Sequence, residues 1–567
     1  MASLLLGAAF FGLALHKIEP LPLSGAPFRF EEKRAFDWMS GLAKGFPDRL
    51  PWNENHAKAS HWLQDEFRKL GYEPKVMGFS EVIAGKQYTN LENIYAEKIG
   101  TTHPEEIVVV SGHYDITDTT SEGAMDDASA IGVVMELARV FSTEKTERTV
   151  IFLATDSEEF GAFWGARAFA RQFDRADKIV ADLNFDFVAP EKQTKIVTLC
   201  DGLKEGYTPL WLRELALDSL RSLGTTEVVD LDNAVEFAER AIGIPAADHG
   251  AFLAAGIPAF DWVGQTDNFA YEMGHYHHTQ YDVVEAMRPE SFAPFGQGAE
   301  RLIRSIDALP RIPANFRDSS YWKVSEHLYV DGWAMTLLHA LAFVPFIAYC
   351  FVKFRKSFRR GMRGKVLLVM RNEAKRATIL LGSMLLGYGV MRLLPSLKII
   401  TQYETFPATQ KSLILYSPDF VVMLVVVGLV IGVYWAFKST FRDREDTLGL
   451  YDVRQAFHAA LLLLVIGLAF LKNSYLATLL LVPPAYLWTA MRSRRRVEDR
   501  LMNGFLLIGG AITFVTMTII LTQIFYVGVV YWYLFLSATY GLISAYTVVL
   551  FFMVLTVMIR LFRSLVF

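Results

Sequence analysis

Past residue 328 the chain runs into long apolar stretches, and no other feature restricts its fold as strongly. GWAMTLLHALAFVPFIAYCFV (332–352), FVVMLVVVGLVIGVYWAF (420–437) and GFLLIGGAITFVTMTIILTQIF (504–525) each hold about the 20 residues that a helix needs to cross a bilayer. Shorter or more broken candidates lie at 377–397, 456–471, 475–491, where Pro483 and Pro484 interrupt, and 526–562. The expectation is a transmembrane domain of about seven helices over 328–567, so any soluble domain must come from the residues before it. Charge divides the chain at the same place. The first part carries 31 Lys and Arg against 50 Asp and Glu, the second 25 against 10.

Basic loops orient the spans. KFRKSFRRGMRGK (353–365) holds seven basic residues and no acid, which marks it as cytoplasmic. Alternation then puts 438–446, 492–500 and the tail with Arg560 and Arg563 inside, and 398–411 and 472–474 outside. Every strongly basic loop falls on one side. The acidic half is thereby expected outside the cytoplasm: in the periplasm or outside the cell, or in the endoplasmic reticulum lumen of a eukaryote. ASLLLGAAFFGLALHK reads as an uncleaved signal anchor within 1–20. A catalytic-sized domain over 30–308 and a linker over 309–327 complete the expected layout. Cys200 and Cys350 lie in different halves and supply no disulfide framework.

Within the acidic half, helical spacing from residue 56 stops at Gly71, after which short β-rich runs alternate with helical ones. The runs are EIVVVSG (106–112), ASAIGVVMELARVF (128–141), TVIFLAT (149–155), GAFWGARAFARQF (161–173), KIVADLNFDF (178–187), TKIVTLC (194–200) and IPAFDWVG (257–264). Near-continuous apolar strands between amphipathic helices predict an α/β fold, a mostly parallel mixed sheet with helices on both faces. Polar residues gather at the carboxyl ends of its strands: His113 and Asp115 after the first, Glu158 and Glu159 after the second, Asp186 at the end of the third. Open α/β sheets place their ligands there. Taken singly, Asp126-Asp127 and Glu158-Glu159 could equally be helix starts.

A closed structural zinc site would ask for four Cys or His ligands, and this half has one cysteine. Carboxylate-rich sets with few histidines suit two divalent cations about 3.5–4 Å apart that share a carboxylate. Six segments sharpen this: G-H-Y-D (112–115), G-A-M-D-D-A-S (123–129), D-S-E-E-F-G (156–161), N-F-D (184–186), D-H-G-A-F-L-A-A-G-I-P-A (248–259) and H-T-Q-Y-D (278–282). Over roughly 35–305 the chain resembles the co-catalytic zinc peptidases, among them bacterial leucyl aminopeptidases, plasma glutamate carboxypeptidase and the multi-span endoplasmic reticulum metallopeptidase. The resemblance implies two Zn²⁺ per chain, bridged by Asp126, with Glu159 and His278 completing one and His113 and Asp186 the other. It implies Glu158 as general base, Asp115 as the carboxylate that orients His113, and a cis peptide between Asp126 and Asp127.

In YEMGHYHHTQYD (271–282) the resemblance selects His278, because Thr279 and Asp282 follow it at the family's spacing; His275 and His277 are then rim residues. Many relatives place tyrosine just before the ligand, where this chain has His277. Candidates for steadying the oxyanion or touching substrate are His277, Tyr276, Asp248 and His249. The implied activity is hydrolysis of peptide bonds, most simply from the amino terminus, since an acidic site welcomes an α-amino group. Peptide and lipid bilayer are the expected partners, and no nucleic acid. Two other readings share the motifs: a glutaminyl-cyclase-like acyltransferase with one zinc, and a non-catalytic membrane scaffold or receptor. A transport role for the membrane half has little support, since His339, Arg392, Asp419 and His458 are the few ionisable groups in its expected spans.

Overall fold

The computed structural model describes residues 12–83, 86–159, 163–191, 193–202, 206–230, 233–242, 247–313, 321–359, 363–394, 397, 417–439, 451–479, 481, 485 and 545–566. The chain divides into two compact units, one over His16–Tyr329 and one holding the apolar helices after Val330. After a short strand at Leu15–Lys17 (β1), the first unit builds an eight-stranded sheet from β2 (Lys75–Ile83), β3 (Lys86–Lys98), β4 (His103–His113), β5 (Arg148–Thr155), β6 (Ile179–Phe185), β7 (Lys195–Leu199), β8 (Glu227–Asp230) and β9 (Ala259–Gln265). Their order is β2-β3-β5-β4-β6-β9-β7-β8. The central four, β5-β4-β6-β9, are parallel. Antiparallel pairs join β2 to β3, β3 to β5 and β7 to β9, so the sheet is mixed around a parallel middle.

Alternation along the middle strands splits the core into two layers, as successive side chains leave a strand on opposite faces. Val108 and Val110 of β4 and Val150 and Phe152 of β5 pack with α1 (Glu32–Gly45), α2 (Glu54–Lys69) and α3 (Ser129–Ser142). Ile107, Val109, Ile151 and Leu153 pack on the other side, against α4 (Trp164–Gln172) and α7 (His249–Ala254). Helices α5 (Leu210–Arg221), α6 (Asn233–Ile242), α8 (Phe269–His275) and α9 (Phe292–Asp307) complete the unit. α1 and α3 cross closely at Gly132, where a Cβ would collide with the Ala35 carbonyl.

Register brings the strand ends level. His113 lies opposite Thr155, and Ser111 opposite Asn184, so the polar residues that follow each strand emerge together. In the expected linker, residues 314–320 lie outside the described residues. Tyr321–Ser325 (β10) instead docks on the first unit: Lys323 is buried and reaches Glu214 at 2.5 Å and Asp230 at 2.6 Å.

In the second unit, the apolar run at 332–352 falls in helix α10 (Gly332–Arg359), α11 (Arg363–Leu393) holds the run at 377–397 as far as Leu393, the runs at 420–437 and 456–471 fall in α12 (Ser417–Ser439) and α13 (Tyr451–Lys472), and α14 (Ala545–Val566) covers the end of the last run. Phe343, Phe346 and Cys350 of α10 pack with Leu462, Val465 and Ile466 of α13 and Leu550 and Val557 of α14. Among the described residues one stretch, Gly332–Val352, is long and apolar enough to cross a membrane; Leu424–Phe437, Phe457–Lys472 and Ala545–Val557 are apolar but shorter. The run at 504–525, most of that at 475–491 and the residues up to 11 lie outside the described residues. α11 starts well before the expected 377, so it buries Glu373, whose carboxylate meets His458 at 3.3 Å and Arg376 at 3.1 Å.

Candidate metal centre

The end of β4 delivers the first histidine. The His113 backbone N–H donates to Asp127 Oδ2 at 3.1 Å, which fixes the strand end to the start of α3, because the other Asp127 oxygen accepts the Ala130 N–H at 3.1 Å. His113 Nε2 then faces Asp126 Oδ1 at 3.1 Å, Asp186 Oδ1 at 3.8 Å and Glu158 Oε2 at 3.9 Å. Its Nδ1 lies 3.4 Å from Asp115 Oδ1, without an aligned hydrogen bond.

The second histidine arrives from the loop after α8. His278 Nε2 is 3.1 Å from Asp126 Oδ2 and 2.8 Å from Glu159 Oε2. Its backbone is left-handed, with φ of 55°, a conformation costing a non-glycine residue about 1–3 kcal/mol, and the Thr119 hydroxyl holds it by donating to the His278 carbonyl at 2.8 Å. Asp126 thus turns one oxygen to each histidine. The five expected ligand residues and Glu158 converge, and the Asp126-Asp127 peptide is cis.

Further residues hold these in place. Asp115 accepts the backbone N–H groups of Glu158 at 3.1 Å and Glu159 at 3.3 Å, so one carboxylate positions the loop that carries both acids. Ser157, left-handed at φ 58°, turns the chain just before them. Asp156 ties the same loop to α2 and β3, meeting His56 Nε2 at 2.9 Å and accepting the Glu92 N–H at 2.7 Å. Asp282 accepts the N–H groups of Met125 and Asp126. Arg49 is wholly buried and donates to the carbonyls of Tyr114, Glu122 and Gly123. Burial lowers its pKa to about 10, against Asp282, Asp115, Asp127 and Asp126, which favour its charge. Asp127 and Asp282 sit inside quoted motifs, so their presence was visible and their tasks were not. Arg49, in PDRLPW, carries no sequence signal.

The four remaining candidates separate. His277 Nε2 is 3.3 Å from Asp126 Oδ2, and its ring stacks on that of His278 with centroids 3.7 Å apart. Burial, helped by the neighbouring His278, pushes His277 down to about 3, so its imidazole is neutral. Tyr276 turns away and donates to Glu191 Oε1 at 3.2 Å. Asp248 and His249 are buried at the start of α7; Asp248 accepts from the Thr155 hydroxyl. His275 stacks between Tyr271 and Tyr281, at 5.0 and 4.6 Å.

Electrostatically the cluster is short of positive charge. Burial raises Glu158 well above the carboxylate range and Glu159 to about 7, with nearby histidines opposing. Burial works against the charged form of His278, but Glu159 and Asp126 outweigh it and raise the group to about 10. Protons are thus held where cations would serve. Two ligands of one tetrahedral zinc, each ~2.1 Å from it, lie about 3.4 Å apart, and the donor pairs here span 2.8–3.8 Å. Glu159 Oε1 is buried without a protein partner. Residues of this chemistry and spacing fit divalent cations, and sets built on Asp126 with His277 and His278, on His113, Asp126 and Glu159, and on His113, Asp127 and Asp186 each bring their donor atoms within 4.8 Å.

Two residues back along β4 and β6 lies a second polar layer. Ser111 Oγ is 2.8 Å from Asp182 Oδ1 and 2.9 Å from Asn184 Oδ1, and Asn184 Nδ2 is 3.2 Å from Asp261 Oδ1. Burial lifts Asp182 and Asp261 well above the usual carboxylate range.

The sequence model described as Peptidase family M28 matches residues 93–303. A probable zinc metalloprotease of Pyrenophora tritici-repentis is 25% identical, over 45% of this chain and 62% of that protein. A vacuolar membrane protease of Candida glabrata is 31% identical over 112 residues, 19% of this chain and 12% of that protein. The match thus spans less than two thirds of either relative. Among solved structures, a zinc aminopeptidase from Bacillus subtilis superposes with a TM-score of 0.42 at 14% identity, over 51% of this chain and all of that one. Glutaminyl cyclase from Porphyromonas gingivalis does so with 0.42 at 20%, over 49% and 98%. The stretch that matches peptidase family M28, residues 93–303, holds His113, Asp126, Glu158, Glu159, Asp186 and His278.

Proposed function

We propose that this chain is a membrane-bound zinc peptidase that cleaves residues from the amino terminus of peptides, with its active site outside the cytoplasm. The observation that carries the reading is Asp126, with Oδ1 against His113 and Oδ2 against His278. A single zinc would not require the two Asp126 oxygens to be turned to separate histidines. Two Zn²⁺ would be held by Asp126, Glu159 and His278 and by Asp126, His113 and Asp186. When bound, such a pair supplies the charge that acidifies a water and polarises the scissile carbonyl.

The chain's own residues then handle substrate and protons. Glu158, raised by burial, takes the proton that the attacking water gives up and passes it to the departing amine nitrogen. Asp115 keeps Glu158 and Glu159 apart in task by fixing both backbone N–H groups. His277, neutral beside His278, offers a hydrogen bond to the oxyanion in place of the tyrosine of many relatives. The acidic surroundings favour a substrate with a free α-amino group. Support for the membrane setting comes from the stretch Gly332–Val352, the one-sided basic loops and the similarity to a vacuolar membrane protease.

The test is digestion of a peptide library by the zinc-loaded full chain in detergent. Stepwise release of amino-terminal residues is expected. Pyroglutamate formation without hydrolysis would replace this reading with the cyclase one, and two bound zincs without turnover would leave a receptor.

A further inference from the structure

A cavity of about 200 Å³ opens beside the segment that carries His278, with Glu191, Thr266, Tyr271, Glu272 and Tyr276 in its wall. Sites that enclose a whole small ligand run to ~300–1,000 Å³. This one has room for a single side chain. Its wall neighbours the metal centre along the chain: Tyr276 directly precedes His277, and Glu191 follows Asp186 by five residues, on a stretch whose Phe187 ring lies 6.0 Å from that of His277.

The wall is acidic and aromatic, and it is fixed. Glu191 has a left-handed backbone, φ 53°, held from both sides: its N–H donates to the Ala286 carbonyl at 2.9 Å and its carbonyl accepts the Ser291 hydroxyl at 2.7 Å. Its carboxylate receives the Tyr276 phenol at 3.2 Å through one oxygen. Glu272 is buried and accepts the Thr266 N–H with both oxygens, at 2.8 and 3.2 Å. Tyr271 is half exposed and stacked on His275. Among the described residues lining the cavity none is a lysine or arginine. Carboxylates and the faces of tyrosine rings attract the same kind of group, a cation.

We propose that this cavity receives the side chain of the substrate's amino-terminal residue, and that Glu191 selects a cationic one, lysine or arginine. The assignment rests on the peptidase reading above. An ammonium or guanidinium group seated here completes a charge-assisted hydrogen bond with Glu191 that an aliphatic side chain does not make.

The experiment measures kcat/KM of the zinc-loaded full chain for lysyl, arginyl, leucyl and glutamyl anilides. Lysyl and arginyl substrates are expected to exceed leucyl by about ten-fold, the size of one charge-assisted hydrogen bond. Glu191→Gln should collapse that ratio, and Glu191→Lys should turn it toward the glutamyl substrate. A ratio that Glu191→Gln leaves in place, or a leucyl preference in the unaltered protein, overturns the pocket and leaves the peptidase reading standing. Failure to cleave any anilide or library peptide with two zincs bound removes both.

Discussion

Asp282 grips Asp126 by its backbone: one carboxylate oxygen accepts the Asp126 N–H at 3.1 Å and the other accepts the Met125 N–H at 2.6 Å. The residue that faces both histidines is thereby aimed by a residue in the motif that also supplies His278. His278, the proposed ligand, and Asp282, the support of Asp126, reach the centre on one loop.

Asp282→Ala therefore frees the Met125 and Asp126 amides and lets the shared carboxylate swing. Zinc affinity should fall about 10- to 100-fold, the usual effect of losing a supporting partner, at both sites together. Zinc titration with a competing chelator measures this, alongside circular dichroism to establish folding. Loss at one site only would mean that Asp126 does not serve both.

Glu158 and Glu159 are adjacent and should fail differently. Glu158→Gln should abolish turnover with about two zincs still bound, because an amide does not shuttle protons. Glu159→Ala should lose metal as well, since its Oε2 lies 2.8 Å from His278. Equal zinc loss in both variants would withdraw the general-base assignment.

The three histidines of YEMGHYHHTQYD predict three phenotypes. His278→Ala should lose zinc and nearly all activity. His277→Ala should keep zinc and lower turnover by an amount equivalent to ~3 kcal/mol, the worth of an oxyanion hydrogen bond. His275→Ala, removing a ring stacked between Tyr271 and Tyr281, should change neither. Zinc content and anilide hydrolysis decide it; metal loss in the His277 variant with retention in His278→Ala would reverse the two assignments.

Metal-free protein should lose stability as pH rises from about 5 to 8. Burial raises Glu159, Asp248 and Asp282 to about 7, against about 4 in an unfolded chain. His278 is raised to about 10, where Glu159 and Asp126 outweigh burial. In this window the folded state binds more protons than the unfolded one, so stability falls with pH. Zinc displaces those protons and should flatten or invert the slope. Melting temperatures with and without zinc give both slopes, and a metal-free protein that grows more stable toward pH 8 would contradict the burial argument.

Topology is testable in intact cells. An impermeant thiol reagent should label a cysteine at Lys178, an exposed position of the first unit, and miss one at Arg360 in the basic loop. The opposite pattern would turn the protein over in the membrane.

Part of the centre was legible because several of its residues lie at or just past strand ends, and strand ends in a parallel sheet meet in space whatever their sequence separation. His113, Glu158, Glu159 and Asp186 follow that rule. The hairpin of β2 and β3 was missed because its polar edge lacks the apolar run that marked the middle strands. Arg49 was invisible for another reason: three backbone carbonyls recognise it, and carbonyls leave no trace in a sequence. The Glu373–His458 pair escaped because charge set the expected span start at 377, whereas α11 carries that charge inside a longer helix.

The Ser111 hydroxyl owns one hydrogen and touches two oxygens, those of Asp182 and Asn184. If Ser111 donates to Asn184, Asp182 must supply a hydrogen of its own; if the Asn184 amide is turned over to satisfy Ser111, its oxygen faces Asp261 and the shortage moves there. Either way the donor inventory leaves at least one of these aspartates as a neutral acid within the sheet. An asparagine at position 182 would bring that missing hydrogen permanently, so Asp182→Asn should fold as well as the parent, while the same exchange at Asp126 would not.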